Sequence, residues 1–86
     1  MGFVIQDVAA PTVGRIVHYR SRGSADGCIP PEARAAVVSE VSGESSHLVG
    51  LVVLNPSGLF FHSLADGGVP FSADGVPGTW SWPPRA

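Results

Sequence analysis

The stretch VGLVVLNPSGLFFHSLADGG, residues 49–68, decides the fold of this chain. It consists of an apolar run, the four residues Asn-Pro-Ser-Gly at positions 55–58, and a second apolar run. Proline presets φ, glycine accepts a positive φ and asparagine bonds the backbone ahead, so these four residues predict a turn. The stretch therefore predicts a buried β-hairpin at the centre of the core, and it identifies no reaction.

Length and composition predict one small domain over residues 1–86. Of these residues, 44% are apolar, so the chain can fold around a single core. Only 14% are charged, against about 25% in an ordinary soluble domain. A small, apolar and weakly charged protein often buries part of its surface against another copy of itself, so we expect a homo-oligomer.

The basic residues are all arginine, and the formal net charge is −2. The absence of lysine indicates a GC-rich genome, and codon bias alone accounts for the arginines. Alternatively, Arg15, Arg20, Arg22 and Arg34 converge in space as planar forks for phosphate or carboxylate. The chain has no basic excess and no Lys/Arg run, so we do not expect duplex nucleic acid as a partner.

Cysteine content and hydropathy indicate the cellular compartment in which the protein is expected. Cys28 is the single cysteine, so no disulfide can form within the chain. The first residues lack the basic and long apolar regions of a signal peptide. No apolar run reaches the roughly 20 residues that a membrane span requires. We therefore expect a cytoplasmic protein with no membrane partner.

Short segments of strand composition alternate with Gly- and Pro-rich loops. Residues 1–12 form an arm before the first of these segments. Residues 48–54 are apolar on both faces, which indicates a central strand or one covered by a partner subunit. The strand-like segments outside residues 32–41 are residues 13–20, 48–54, 59–63 and 79–82.

Residues 32–41 suit two structures. Pro31 followed by Glu-Ala-Arg-Ala-Ala is typical of a helix start. Val37, Val38 and Val41 suit a strand, and we favour the strand. Alternation at residues 79–82 places Trp80 and Trp82 on one face. About five short strands with no clear helix predict an all-β fold, a small SH3-like or related β-barrel over residues 13–84.

Four blocks of the sequence occur in a distinctive order: VGRIVHY, PPEARAAVVSEV, VLNPSGLFF and PGTWSWP. In this order they resemble a family of small uncharacterised proteins from actinobacteriophages and from actinobacterial genomes that carry phage-derived genes. The resemblance covers residues 11–84. It implies a phage-linked origin and the cytoplasm of a bacterial host, and it supplies no activity and no catalytic residue.

Catalytic patterns are weak throughout the chain. Ser57 is explained as a turn residue and lacks the G-x-S-x-G context of a nucleophile. Cys28 would need a nearby histidine to lower its pKa. His18, His47 and His62 have no short metal-ligand spacing with each other or with Cys28. The sequence therefore predicts no enzyme, no cofactor and no metal site.

Arginine combined with aromatic side chains is the one pattern that points to a ligand. Flat rings can stack a base while guanidinium forks hold a phosphate, as in many small nucleotide-binding barrels. Alternatively, the two tryptophans close the barrel or pack an interface. The candidate ligand-binding residues are Arg15, Tyr19, Arg20, Arg34, Trp80 and Trp82.

Three functions follow from these observations. The first is a phage-encoded, non-catalytic anti-defence protein that sequesters a nucleotide-like signal of host immunity at subunit boundaries. The second is a structural or protein-interaction module, such as a virion decoration protein or an inhibitor that docks on a host protein. The third is a nucleic-acid-binding barrel, which requires a basic groove that this composition does not obviously provide.

Overall fold

The computed structural model describes residues 10–23 and 30–84. Residues 1–9 of the predicted arm, which was placed at residues 1–12, and the loop residue Cys28 lie outside these residues. The all-β prediction is confirmed, and residues 32–41 supply a strand. The elements are β1 (Ile16–Arg20), β2 (Ala33–Val41), β3 (Val49–Asn55), β4 (Gly58–His62), a 3₁₀ turn (Leu64–Asp66) and β5 (Trp80–Ser81).

The strands form one antiparallel sheet rather than the closed barrel predicted from the sequence. Its order is β4-β3-β2-β1-β5, so β4 and β5 are the two edges. β2 adopts the strand conformation because it pairs along its length with both β1 and β3. Neither edge strand pairs with the other, and the SH3-like barrel prediction is therefore wrong in its closure.

The strap, residues 69–72, joins the two sides of the sheet. Val69 exchanges both backbone hydrogen bonds with Val49 of β3, at 3.2 and 2.7 Å. Two residues later, Phe71 bridges Trp80 of β5. In a flat sheet, the positions of Val69 beside β3 and of Phe71 beside β5 would lie about 24 Å apart. Two residues of chain span at most about 7 Å. The sheet is therefore strongly curved, and within residues 10–23 and 30–84 single bridges through the strap join its two sides.

The core fills the concave face of the curved sheet. Paired residues on neighbouring strands share a face, and the pairs place Val17, Ala36 and Val53 side by side there. All three are at most 1% exposed. Val69 from the strap and Trp80 from β5 belong to the same buried cluster. The strap thus supplies the second layer that covers this face.

The first strand begins later than the sequence predicts. Strand β1 starts at Ile16 rather than Val13. The amide of Arg15 donates to the carbonyl of Thr12 at 3.1 Å, and Gly14 has φ of 94°. This left-handed residue makes the segment a turn, because an extended strand requires negative φ.

The hairpin formed by β3 and β4 confirms the predicted turn, with Asn55 paired with Gly58 across it. The predicted burial of its second strand is wrong. Leu59, Phe60 and Phe61 of β4 are 56%, 56% and 70% exposed. Leu59 and Phe61 lie on the face of the sheet opposite the core. Phe60 lies on the concave face of this edge strand, but the strap covers that face nearer the other end of β3.

A β-bulge at the end of β2 anchors the 3₁₀ turn. The register between β2 and β3 shifts between Val38 and Glu40, which places Glu40 opposite Gly50. The Oε1 atom of Glu40 then accepts a hydrogen bond from the amide of Leu64 at 2.9 Å. A Cβ atom at position 50 would lie 2.7 Å from that Oε1 and 3.0 Å from the carbonyl oxygen of His62. Gly50 therefore leaves the space that the Glu40 carboxylate occupies.

Gly50→Ala is expected to lower the free energy of unfolding by about 1 to 3 kcal/mol, because the new methyl group displaces packed atoms. Urea unfolding monitored by tryptophan fluorescence measures the change. Gly43→Ala is the matched control, since a Cβ there meets no atom within 4 Å. Equal stability of the two variants would contradict this account of Gly50.

Candidate functional site

A groove of about 390 Å³ lies on the concave face, on the part of the sheet where β3 pairs with β4. Its volume is within the range of about 300–1,000 Å³ that small-molecule sites occupy. Its walls come from β1, β2, β3 and β4 and from the segment that follows β1. The lining residues are Tyr19, Ser21, Arg22, Gly23, Arg34, Val53, Asn55, Phe60 and His62.

Arg34 supplies the central positive charge of the groove. It lies on β2 directly opposite Tyr19 of β1. Its Nη2 is 3.4 Å from Oε1 of Glu32, a side chain that is itself 51% exposed. The Nε atom of Arg34 is buried and has no hydrogen-bond partner among the described residues. A buried guanidinium N–H without an acceptor is unusual, so this donor is available to an anion.

His62 supplies a second unpartnered polar atom at the end of β4. Its Nε2 is buried and finds no hydrogen-bond partner in the described part of the chain. The imidazole centroid is 5.0 Å from that of Tyr19 and 5.3 Å from that of Phe60, whose ring meets it edge-on. Three rings thus form one wall of the groove, with a polar nitrogen embedded in it.

The charge of the groove is opposite to that of the whole chain. Arg22 and Arg34 line it, and none of its lining residues is acidic. The guanidinium of Arg22 lies close to Gly78, where a Cβ would meet its Nη2 at 2.8 Å. The chain as a whole has a net charge of −2. The groove therefore has two arginines and no acidic residue in its lining, with apolar rings beside them.

A second hollow of about 450 Å³ extends from the groove along the β3–β4 turn. Arg34, Asn55 and Phe60 line both spaces. The turn residues Pro56 and Ser57 line the far side. A ligand longer than one ring system can therefore occupy both hollows while keeping contact with Arg34.

The structure divides the six candidate ligand residues between three places. Tyr19 and Arg34 come together in the groove. Arg20 lines a separate hollow beside β5, and its Nε donates to the carbonyl of Gly75 at 3.3 Å. Trp82 lines that hollow as well. Of the arginines that were predicted to converge, Arg22 and Arg34 line the same groove, whereas Arg20 lies elsewhere.

The two remaining candidates, Arg15 and Trp80, also lie away from the groove. The guanidinium carbon of Arg15 lies 4.9 Å from the ring centroid of Trp82, a cation–π contact. Trp80 is fully buried, and its indole N–H donates to the carbonyl of His47 at 2.9 Å. Trp80 and Trp82 share one face as predicted, with centroids 5.3 Å apart. Trp80 thus has no surface to offer a ligand and serves the core.

Sequence reasoning missed Asn55, Phe60 and His62 as groove residues. Each was assigned to the turn or to a core strand. The signal that finds them is the register: Val53 pairs with Phe60 and Leu51 pairs with His62, which puts both side chains on the concave face. That register depends on a two-residue turn at Pro56-Ser57, which the sequence indicates only by composition.

The remaining chemistry-bearing residues are dispersed. His18 lies on the face of the sheet that points away from the core, and it pairs with Ala35 and Ser81. The ring of His47 stacks on Trp80 at 6.4 Å with an interplanar angle of 8°. Within residues 10–23 and 30–84, no three His, Cys, Asp or Glu residues are placed to hold a metal ion. In the same part of the chain, no helix has the length and hydropathy to cross a membrane.

Comparison with known proteins supplies no relative. The chain matches no protein-family model, no curated protein and no solved structure. The resemblance to the actinobacteriophage family therefore stays a prediction, and function must be argued from the geometry.

Trp80→Phe is expected to destabilise the fold by about 2 to 3 kcal/mol, because it leaves a cavity and removes the hydrogen bond to His47. Trp82→Phe is the matched control, since Trp82 is only partly buried, and about 1 kcal/mol or less is expected for it. Urea unfolding followed by circular dichroism compares the two variants. A larger loss for Trp82→Phe would contradict the assignment of Trp80 to the core.

Proposed function

We propose that this protein is a non-catalytic binding protein that captures a nucleotide-like anion in the groove around Arg34. The observation that carries the proposal is a pair of buried nitrogens on residues that line one groove, Nε of Arg34 and Nε2 of His62, which have no hydrogen-bond partner among the described residues. A third such atom, Nε2 of His47, lies outside the groove. Buried polar groups are normally hydrogen-bonded, so the Nε donor of Arg34 favours an occupant with an oxygen acceptor, whereas Nε2 of His62 donates or accepts according to its tautomer.

Each part of the groove suits one part of such a ligand. A phosphate accepts from the guanidinium of Arg34, and a planar fork binds phosphate through paired N–H donors. Phe60, which is 56% exposed, offers a flat surface to a base, and base–aromatic stacking is favourable for every base. The amide of Asn55 can donate to and accept from a base edge. Capture of this kind breaks no bond and needs no cofactor.

The biological setting of this proposal follows from the sequence resemblance. If the chain is phage-encoded, capture of a nucleotide-like signal would lower its free concentration in the host and blunt a defence response. A stoichiometric sponge requires affinity and abundance only, which agrees with a small chain that lacks a catalytic pattern. The ligand site proposed here lies within one chain, rather than at the subunit boundary expected from the sequence.

Isothermal titration calorimetry with a panel of cyclic and linear nucleotides tests the proposal. At least one phosphorylated nucleotide is expected to bind with one site per chain, and its nucleoside is expected to bind at least about tenfold more weakly. Arg34→Met is expected to weaken binding of that nucleotide by about tenfold or more, because it removes the charge-assisted hydrogen bonds.

Arg15→Met is the matched control for Arg34→Met, since it removes the same charge from an arginine outside the groove. The chain's net charge changes equally in both variants, so a loss confined to Arg34→Met separates local contacts from general electrostatics. Absence of binding heat across the panel, or equal losses in both variants, would refute the proposal.

A second candidate function is a protein-interaction module. It is favoured by exposed apolar side chains on the outer face, including Ile16 at 62% and Phe61 at 70%. Apolar surface of this kind often marks a protein contact. A stoichiometric complex with one virion or host protein, lost on Phe61→Asp, would support this function over ligand capture.

A further inference from the structure

The outer face of the sheet, on the side opposite the groove, carries two apolar rows across four strands. The pairing register defines both rows, because residues paired on neighbouring strands share a face. The first row is Ile16, Val37, Val52 and Phe61, and the second is His18, Ala35, Leu54 and Leu59. Neither row contains Asp, Glu, Lys or Arg; His18 is their one polar side chain, and Arg20 lies in the next row of the same face. We call these eight residues the outer face.

Most of the exposed large apolar side chains in the described part of the chain lie on the outer face. Ile16, Leu54, Leu59 and Phe61 are 62%, 44%, 56% and 70% exposed. No described segment covers them, because the strap packs on the concave face. An antiparallel sheet with one face on the core usually presents polar residues on the other. This sheet is apolar on both faces, which indicates that a second layer covers the outer one.

The area of the outer face is enough for a weak specific dimer. The four strands span about 19 Å and the two rows about 13 Å. Side chains exposed to the stated fractions present roughly 400–500 Å² on such a face. Two such faces together bury about 1,000 Å², which is the lower limit for a biological interface and is typical of weak complexes.

We propose that the outer face is the contact surface between two copies of this chain, related by a two-fold axis. Sheets pack face to face at about 10 Å when both faces are apolar, and a second copy supplies a face of matching size and chemistry. Such a contact is self-complementary, as two-fold symmetry requires. The lack of charge favours this occupant, since the surface offers no electrostatic recognition to a charged partner.

The proposed dimer leaves both grooves open. The grooves lie on the concave faces and the contact on the outer faces, so the two sites point away from each other. Each dimer then has two sites that bind independently, with one ligand per chain. The dimer does not depend on the proposed ligand function, because no residue that lines the groove around Arg34 belongs to the outer face. Leu59 lines the second hollow, so Phe61→Asp is the variant that separates the two proposals.

Sedimentation equilibrium over total concentrations of about 1 to 500 µM tests the dimer. The wild-type chain is expected to shift from monomer to dimer mass across this range. Phe61→Asp is expected to keep the chain monomeric up to the highest concentration, because it buries a carboxylate in an apolar contact. Leu59→Asp, on the second row, is expected to have the same effect.

Phe60→Asp is the matched control for Phe61→Asp. It places the same charge on the same strand, at a residue of similar exposure on the concave face, and it is expected to leave dimerisation unchanged. Far-ultraviolet circular dichroism verifies that all three variants are folded. A wild-type chain that stays monomeric throughout would overturn the proposal and leave the outer face to a different protein. A dimer that persists in Phe61→Asp and Leu59→Asp, or that is lost in Phe60→Asp, would also overturn it.

Calorimetry on the same variants keeps the two proposals separate. Phe61→Asp is expected to bind nucleotide as the wild-type chain does, whereas Arg34→Met is expected to dimerise normally. Failure of ligand binding would therefore leave the dimer proposal standing, and failure of dimerisation would leave ligand capture standing.

Discussion

The curvature imposed by the strap is the constraint on which the rest of the structure depends. Two residues separate the bridge to β3 from the bridge to β5, and the sheet must bend to satisfy both. Trp80 is central to this closure. Its backbone bonds the strap at Pro70 and Ser72, while its indole fills the core and donates to His47. One residue thus supplies backbone pairing, buried volume and a satisfied polar group.

The strap covers one part of the concave face and leaves the other part as a groove. Near the strap, the concave face is filled by Val49, Val69 and Trp80 and is dry. Farther along, where β3 pairs with β4, no strap residue reaches, and the same face becomes a groove with Arg34 and His62 in its lining. The groove is therefore a direct result of incomplete closure. A fully closed barrel of this size would fill that space with side chains.

Two features are left unsatisfied by the described residues: the groove nitrogens without a hydrogen-bond partner and the exposed apolar rows on the outer face. A buried donor without an acceptor is unfavourable, and exposed apolar area is unfavourable in water. Their chemistry differs: the groove favours an anion with a flat ring, whereas the outer face favours another apolar surface. Because the two features lie on opposite faces of one sheet, a ligand and a second copy can be bound at once.

The sequence by itself determined the strands and the turn. Alternation and β-branched residues suffice for this, since they reflect local backbone preference, and the valines of residues 32–41 outweighed the helix-like start at Pro31. The sequence also selected Tyr19 and Arg34 as candidate ligand residues, and the structure places both in one groove. Whether such residues meet is a different matter, since it depends on pairing between distant strands.

Only the tertiary structure determined how far the sheet closes, which residues line the groove and which tryptophan is buried. Trp80 and Trp82 look equivalent in the alternating pattern, yet one is fully buried and the other stacks with Arg15. The difference arises because the strap pairs with Trp80. His62 and Phe60 entered the groove through the register set by the hairpin. The register within the hairpin follows from the length of its turn, whereas strand order depends on pairing between segments that are distant in the sequence, which local composition does not specify.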